Sequence, residues 1–290
     1  MPISTLTRQA AKYFNMQGNP PQGVVSPMPG LTLLQSTRTT ELEATIYDPV
    51  ICLILRGEKE TTAGSRTIRF GVGESLIVSH SLPVVSRITQ ASPKTPYLAV
   101  ILSIDLGILR ALYHEIDGIP DGDRQATAMN AERTGEDIID ALSRYLALSG
   151  QSFERKVLGP LVLKEIHFRL LMAPHGAMLR QLLGHESYAS QINKAISHLR
   201  ANFRKPLSIK EMAKAIGMSE SSFYERFKKV TETTPLQYQK DMRLIEAQRL
   251  LRNERLPVSS AAFEVGYESP TQFSREYSRK FGIPPSAELA

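Results

Sequence analysis

The chain has 290 residues, 42% of them hydrophobic and 22% charged, the make-up of an ordinary globular protein of about two domains. No apolar run approaches the roughly 20 residues of a membrane-spanning helix, MPISTLTRQAAKYFNMQGNP lacks the apolar core of a secretory signal, and the single Cys52 has no disulfide partner, so a cytoplasmic protein is expected. The net charge of +6 is wholly C-terminal: residues 188–290 carry 17 Lys and Arg against 11 Asp and Glu, whereas residues 1–187 balance at 18 each, an asymmetry that suits one end to a polyanion.

In chain order, short β-branched runs come first: ICLIL (51–55), RTIRF (66–70), SLIVS (75–79), PVVSRI (83–88) and YLAVIL (97–102). Turn signals separate them at Arg56–Gly57, Ala63–Gly64–Ser65, Gly71–Val72–Gly73 and Ser92–Pro93. The region from Leu31 to Leu102 therefore predicts a small all-β sandwich or barrel. Helices are expected over IDLGILRALYHEI (104–116), GEDIIDALSRYLALS (135–149) and ERKVLGPLVLKEIHFRLLMA (154–173), with LRQLL (179–183) leading onward. Within the third, Val157, Leu158, Leu161, Val162, Ile166, Leu170 and Leu171 exceed what one barrel face needs. The surplus fits a self-association surface as well as it fits packing within the domain.

Catalytic and metal signatures are missing from this part. The six histidines, His80, His114, His167, His175, His185 and His198, are scattered and never paired, so no metal site or cofactor is expected. Neither a Ser/His/Asp nor a Cys/His arrangement declares itself. Cys52 sits in an apolar run and reads as a buried strand residue rather than a reactive thiol. His80 and Arg87 could face a ligand cavity, although ordinary turn and strand roles are the plainer reading.

The C-terminal part contains an internal repeat offset by about 50 residues. LSIKEMAKAIGMSESSFYERFKKVTETTP (207–235) is answered by LPVSSAAFEVGYESPTQFSREYSRKFGIPP (256–285). Ala213 and Gly217 match Ala262 and Gly266; Phe223, Phe227 and Pro235 match Phe273, Tyr277 and Pro285, with one extra residue near Glu268. Each copy predicts two helices across a tight turn: a small residue where they cross, a glycine able to take positive φ, and Ser219 or Ser269 as N-cap. Between the copies, Leu236 to Glu254 has helical spacing and neither Gly nor Pro. As one helix of 19 residues it would span about 28 Å, close to the roughly 34 Å between successive major-groove faces of B-DNA.

Two helix-turn-helix units joined by a long helix, with FSREYSRKFGIPP at 273–285, resemble the DNA-binding domain of AraC-type transcription regulators from about Gln191 onward. The family usually carries a glycine three residues before the first unit's Pro235, where this chain has Glu232. Residues 49–105, through Gly57, Gly71, Gly73, SLPV (81–84) and Pro96–Tyr97–Leu98, resemble the cupin-like N-terminal domain of one AraC-type subgroup.

The resemblance implies an α+β protein. Residues 1–187 would form a cupin-like β-barrel or sandwich with helices, and residues 188–290 an all-α domain of seven helices with two helix-turn-helix units. Ser221, Tyr224 and Glu225 would take the base-facing positions of the first recognition helix, and Thr271, Gln272 and Arg275 those of the second. Glu225 can accept from cytosine, Gln272 can read adenine, and Arg275 can read guanine or bind phosphate; a solvated surface charge is the alternative for Glu225. Lys205, Lys210, Lys228, Lys229, Arg279 and Lys280 are expected at phosphates.

The expected function is sequence-specific regulation of transcription by a homodimer that is not an enzyme. Its expected partners are promoter DNA, RNA polymerase and a small-molecule effector of unknown identity. Two other readings stay open: a ligand-independent architectural DNA-binding protein, marked by weak sequence preference, and a vestigial cupin enzyme fused to a DNA-binding domain, marked by bound metal.

Overall fold

The computed structural model describes residues 3–15, 20, 22–116, 127–184 and 187–289. Helix α1 (Ile3–Asn15) leads into strands β1 (Gln22–Met28), β2 (Leu31–Ser36), β3 (Glu43–Tyr47), β4 (Val50–Arg56), β5 (Glu58–Ala63), β6 (Arg66–Gly71), β7 (Glu74–Val78), β8 (Leu82–Gln90) and β9 (Tyr97–Ser103). Helix α2 (Leu106–Glu115), strand β10 (Met129–Arg133) and helices α3 (Glu136–Ala147), α4 (Ser152–Met172) and α5 (Ala177–Leu183) follow. The C-terminal part holds α6 (Tyr188–Asn202), α7 (Ile209–Ala215), α8 (Glu220–Thr231), α9 (Pro235–Glu254), α10 (Val258–Glu264) and α11 (Pro270–Phe281). A 3-10 turn at Pro285–Leu289 closes it, so the seventh helix of the expectation is this short turn.

The strands form two antiparallel sheets, one in the order β1-β2-β9-β4-β7-β10 and one in the order β3-β8-β5-β6, and the α+β class is as expected. Strand β4 has an unbroken apolar run because both its faces are covered. Ile51, Leu53 and Leu55 meet the helical layer, while Cys52 and Ile54 join the second core cluster. The helical layer sets Leu6, Ala10 and Phe14 of α1 with Leu142, Tyr145, Ile166 and Leu170 against Leu33, Val100 and Leu102. That one stripe at i, i+4, i+8 is what makes α1 a helix, although its polar residues hide it from overall hydropathy. Strand β5, EKETTA, is equally quiet in the sequence. Its Glu60 meets Arg69 at 2.9 Å and Arg87 at 3.0 Å across the sheet, and the Arg69 hydrogen bond, the largest influence, holds its carboxyl below the usual range.

The second cluster runs from Ile54, Phe70, Leu76, Val84 and Ile88 without interruption into the C-terminal part, through Ile192, Ile196, Phe223, Phe227, Tyr238 and Met242. Residue 187, the expected boundary, is the N-cap of α6: Ser187 accepts from the Ser190 amide at 3.0 Å. Polar contacts line the same junction. The Tyr238 hydroxyl donates to the Ser81 carbonyl at 2.6 Å, the Ala128 amide donates to the Val230 carbonyl at 3.0 Å, and Arg200 bonds Asp48 and Ser81. Gly64, in the β5–β6 turn, has φ +54, and a Cβ there would stand 2.1 Å from the Glu232 carbonyl oxygen, so the turn lies directly on the end of α8. The second helix-turn-helix unit keeps a separate core of Leu244, Leu251, Ala262, Val265, Phe273 and Tyr277.

Glu232 itself is left-handed, at φ 59, and its amide donates to the Lys228 carbonyl at 2.8 Å. Gly282, three residues before Pro285, does the same in the second unit at φ 75, with its amide 2.9 Å from the Ser278 carbonyl. The departure at 232 therefore leaves the turn intact and places a side chain where only glycine is unstrained. Glu232→Gly is expected to stabilise the protein by about 1 kcal/mol. Urea unfolding decides this, and an unchanged or lower midpoint would show that no strain sits there.

Two buried histidines make stability depend on pH. His80 Nε2 donates to the Ala189 carbonyl at 3.0 Å while Nδ1 accepts from the Ser79 hydroxyl at 2.9 Å, and burial lowers its pKa to about 4. His167 Nε2 accepts from the Asp105 amide at 2.8 Å, Nδ1 donates to the Leu163 carbonyl, and burial lowers its pKa as well. Both are neutral when folded, so their contribution is complete above about pH 6.5 and is lost as pH falls toward the folded values. For His80 the loss between pH 6.5 and 5 is about 2 kcal/mol. His80→Gln, which can still donate to Ala189, should flatten that part of the stability curve; an identical slope in the variant would clear His80 of the role.

Candidate nucleic-acid interface

Both helix-turn-helix units are built on the same turn, with one extra residue in the second. Helix α7 ends at Gly217 (φ +70), where the Met218 amide donates back to the Ala213 carbonyl at 2.9 Å; α10 ends at Gly266 (φ +90), where the Tyr267 amide donates to the Ala262 carbonyl at 3.0 Å. Ser219 accepts from the Ser222 amide at 3.2 Å and Ser269 from the Gln272 amide at 3.3 Å, which starts the second helix of each unit. Ala213 and Ala262 are buried at the helix crossings. Phe223 and Phe227 pack edge-on at 5.5 Å, and Phe273 and Tyr277 tilt against each other at the same 5.5 Å. Gly266 is doubly constrained, because a Cβ there would lie 2.1 Å from the Arg204 carbonyl.

The connecting helix α9 is 20 residues long, about 30 Å. Its middle fastens the units together. Arg243 donates to the carbonyls of Phe203 at 2.7 Å, Lys205 at 3.0 Å, Arg204 at 3.1 Å and Gly266 at 2.8 Å, and Gln239 adds bonds to Phe203 and Lys205. The end of α6 and the turn of the second unit are thus held to one strut. Sequence reasoning missed both residues, since backbone carbonyls leave no residue signature to match.

The open faces carry most of the residues singled out from the sequence. Ser221, Tyr224, Glu225, Lys228 and Lys229 are exposed on α8, and Thr271, Gln272, Arg275 and Arg279 on α11. Gln272 also donates to Glu276 at 3.1 Å. Lys280 is a correction: its side chain is only 14% exposed and its ammonium lies 2.6 Å from Asp241 on α9, so it ties α11 to the strut instead of standing free for phosphate.

Several carboxylates of the domain are engaged internally, whereas Glu211, Glu220 and Glu268 stand exposed. Glu276 takes Lys240 at 2.8 Å and the Tyr267 hydroxyl at 2.8 Å; burial would raise its pKa, but these donors outweigh burial and hold it low. Arg204 pairs with Glu264, Arg249 with Glu246 and Glu254, and Arg252 with Glu288. Exposed pairs of this kind stabilise little, yet they take those cations out of play. Among the described residues, Lys194, Lys205, Lys210, Lys214, Lys228, Lys229, Arg255, Arg275 and Arg279 remain exposed without an acidic partner, most of them on the two units. The uncompensated charge of the domain therefore gathers on the two units.

The N-terminal candidates resolve differently. Arg87 pairs with Glu60, His80 bridges to α6, and Cys52 is buried with its thiol pKa raised by burial. His185 and the side chain of His175 lie outside the described residues. Among the described residues, no group of three His, Cys, Asp or Glu is set to hold a metal, and no helix is long and apolar enough to cross a membrane.

Comparison with known proteins agrees with this layout. Residues 27–178 match the family model of the AraC-type transcriptional regulator N-terminus, and residues 212–290 match a helix-turn-helix domain model. The lactose operon transcription activator of Staphylococcus xylosus is 28% identical over 95 residues, 33% of this chain and 34% of that protein. The regulator CdhR of Pseudomonas aeruginosa is 29% identical over 144 residues, 49% of this chain and 40% of that one. The match thus spans two fifths or less of these curated relatives. ToxT of Vibrio cholerae, at 9% identity, shares the fold with a TM-score of 0.54 over 90% of this chain and 97% of its own. With its N-terminal family model covering just over half of it, the chain belongs to the family of AraC-type transcriptional regulators.

Proposed function

We propose that the chain is a sequence-specific DNA-binding regulator of transcription, acting in the cytoplasm and without catalytic activity. Residues 188–290 form the DNA-reading domain and residues 1–187 a cupin-like control domain. The observation that carries this reading is the pair of recognition helices α8 and α11, fixed to one strut about 30 Å long and bearing open polar faces flanked by unpaired cations. Ser221, Tyr224 and Glu225 read base edges, as do Thr271, Gln272 and Arg275; Lys228, Lys229 and Arg279 bind phosphates. Promoter DNA is the partner, and RNA polymerase is the machine it addresses. ToxT, which shares the fold, has been solved with an unsaturated fatty acid bound, and this supports a small-molecule effector for the N-terminal domain here.

The protein works as a homodimer through α4. Ile166, Leu170 and Leu171 of the expected surplus are buried in the helical core, and Val162 packs against it. The rest face outward, with Val157 68%, Leu158 42% and Leu161 61% exposed, and Phe153, at 85%, extends the stripe together with Phe168 and Met172. A second copy meeting this stripe would cover it.

Affinity for a selected site should fall about a thousandfold or more between roughly 50 and 200 mM salt, because several phosphates are neutralised at once. In randomised-site selection, Tyr224→Ala or Glu225→Ala should change the sequence preferred in one half of the site. Arg279→Ala should weaken all sequences evenly and reduce the salt slope by roughly one, while Lys280→Ala should leave the slope alone. Selection that returns no consensus from the wild-type protein favours the architectural alternative. Light scattering on the full chain should give the mass of a dimer, with Leu161→Asp releasing monomers; a monomeric wild type at micromolar concentration would end the dimer reading.

A further inference from the structure

Among the described residues, Lys59 is the only Lys, Arg, Asp or Glu that is buried. It points from β5 into the space between the sheets, where its register partners are Phe70 on β6 and Ile88 on β8. Its ammonium lies 5.4 Å from the centre of the Tyr47 ring and makes no ion pair among the described residues. Burial works against the charge, but Tyr47, which also accepts a hydrogen bond from the ammonium, together with Cys52 and Glu43, outweighs it and holds the pKa above the ordinary lysine value. The side chain is therefore a buried cation that faces a tyrosine ring and no carboxylate partner.

Its surroundings are short of partners in the same sense. Thr61, two residues along the same face, and Tyr97 on β9 are fully buried; the Thr61 hydroxyl has no hydrogen-bond partner, and the Tyr97 hydroxyl has only the weak Cys52 thiol. The Cys52 thiol stands beside both Lys59 and Tyr97. Tyr47 donates to Ser86 at 3.2 Å, and Ser86 is the register partner of Thr61. The ammonium thus has a phenol but no carboxylate beside it, one hydroxyl has only a thiol and the other has no partner, a costly arrangement in a folded core.

We propose that this cluster is the head-group site for a small monocarboxylate with an apolar body. A carboxylate only accepts hydrogen bonds, which suits three donors, and one negative charge matches one cation. A neutral polyol would leave the ammonium unpaired; a phosphate dianion would lack a second cation. The apolar body would lie among Ile54, Phe70, Val84 and Ile88, which share the same cluster. Tyr47, half-buried on edge strand β3, marks the way in. The inference rests on reading the N-terminal domain as a sensor of small molecules, and it names what is sensed.

The test uses full-length protein, with hexanoate, benzoate and phenylacetate as probes against their neutral amides and a panel of simple sugars, read by calorimetry and thermal shift. At least one acid should bind and raise the melting temperature while its amide does not. Lys59→Met should weaken that acid about tenfold or more, and without ligand should melt no lower than wild type, since it removes an unpaired buried charge. Tyr97→Phe, which keeps the ring, should cost about fivefold and carries the test if the Lys59 variant fails to fold. Binding of amides or sugars with no binding of acids overturns the carboxylate assignment and leaves the sensor reading standing. Binding of none of the probes overturns the assignment and counts against the sensor reading too. Acid affinity unchanged in both variants overturns the site.

Discussion

Phe223, Phe227 and Tyr238 of the first helix-turn-helix unit are buried in the same apolar cluster as Phe70, Val84 and Ile88 of the sandwich, so this unit borrows its core from the other end of the chain. Burying one such aromatic side chain contributes roughly 2–3 kcal/mol, and several cross the junction, which makes the docking comparable in strength to an ordinary domain core. Much of the surrounding detail follows from that contact. Gly64 must lack a side chain because the β5–β6 turn rests on the Glu232 carbonyl, and the amide of Ala128 finds its acceptor at Val230. His80 stays neutral because α6 closes over it.

The second unit contrasts at each of these points. Its core is self-contained, and its ties are polar: Tyr277 donates to Glu288 at 2.8 Å, Gln248 reaches the same carboxylate at 2.8 Å, and Arg252 joins them. The same turn is thus mounted in two different ways. The first recognition helix is packed on the sandwich, whereas the second is tied to the end of α6 and to α9, through the carbonyls that Arg243 gathers, the Arg204–Glu264 pair and Phe203. Under the proposed function, an effector in the N-terminal domain would act on α8 directly and on α11 only through those ties.

What could be read from the sequence was whatever geometry imposes on residue type. Two copies of one motif need the same alanine, glycine, serine and aromatic positions, so the repeat stood out, and a strand covered on both faces, such as β4, stands out as an unbroken apolar run. Residues whose role depends on a distant partner could not be found that way. Strand β5 is polar because its partners are Arg69 and Arg87, α1 is amphipathic by three residues alone, and Lys280 looks like any solvent lysine until Asp241 is seen beside it. Glu232 shows the opposite limit: the residue type argues against a left-handed turn, and the backbone takes the left-handed conformation regardless.

The distribution of charge in residues 188–290 bears on how DNA would be read. Asp241, Glu276 and Glu288 hold lysine, tyrosine and arginine side chains inside the domain, so they do little to screen the cations that remain outside. Each such pair cancels, so the net charge of the domain rests on the cations left outside the pairs. Glu220 and Glu225 break this rule, for they stand exposed on α8 among those cations. A carboxylate there is repelled by every phosphate it approaches, and only a donor such as the N4 amine of cytosine can compensate it. Non-specific attraction should accordingly be weaker at α8 than the nearby lysines suggest, leaving α8 to contribute mainly where the base sequence suits it. Helix α11 has Arg275 and Arg279 open and its glutamate turned inward, so under the proposed function it would meet a smaller penalty on any duplex.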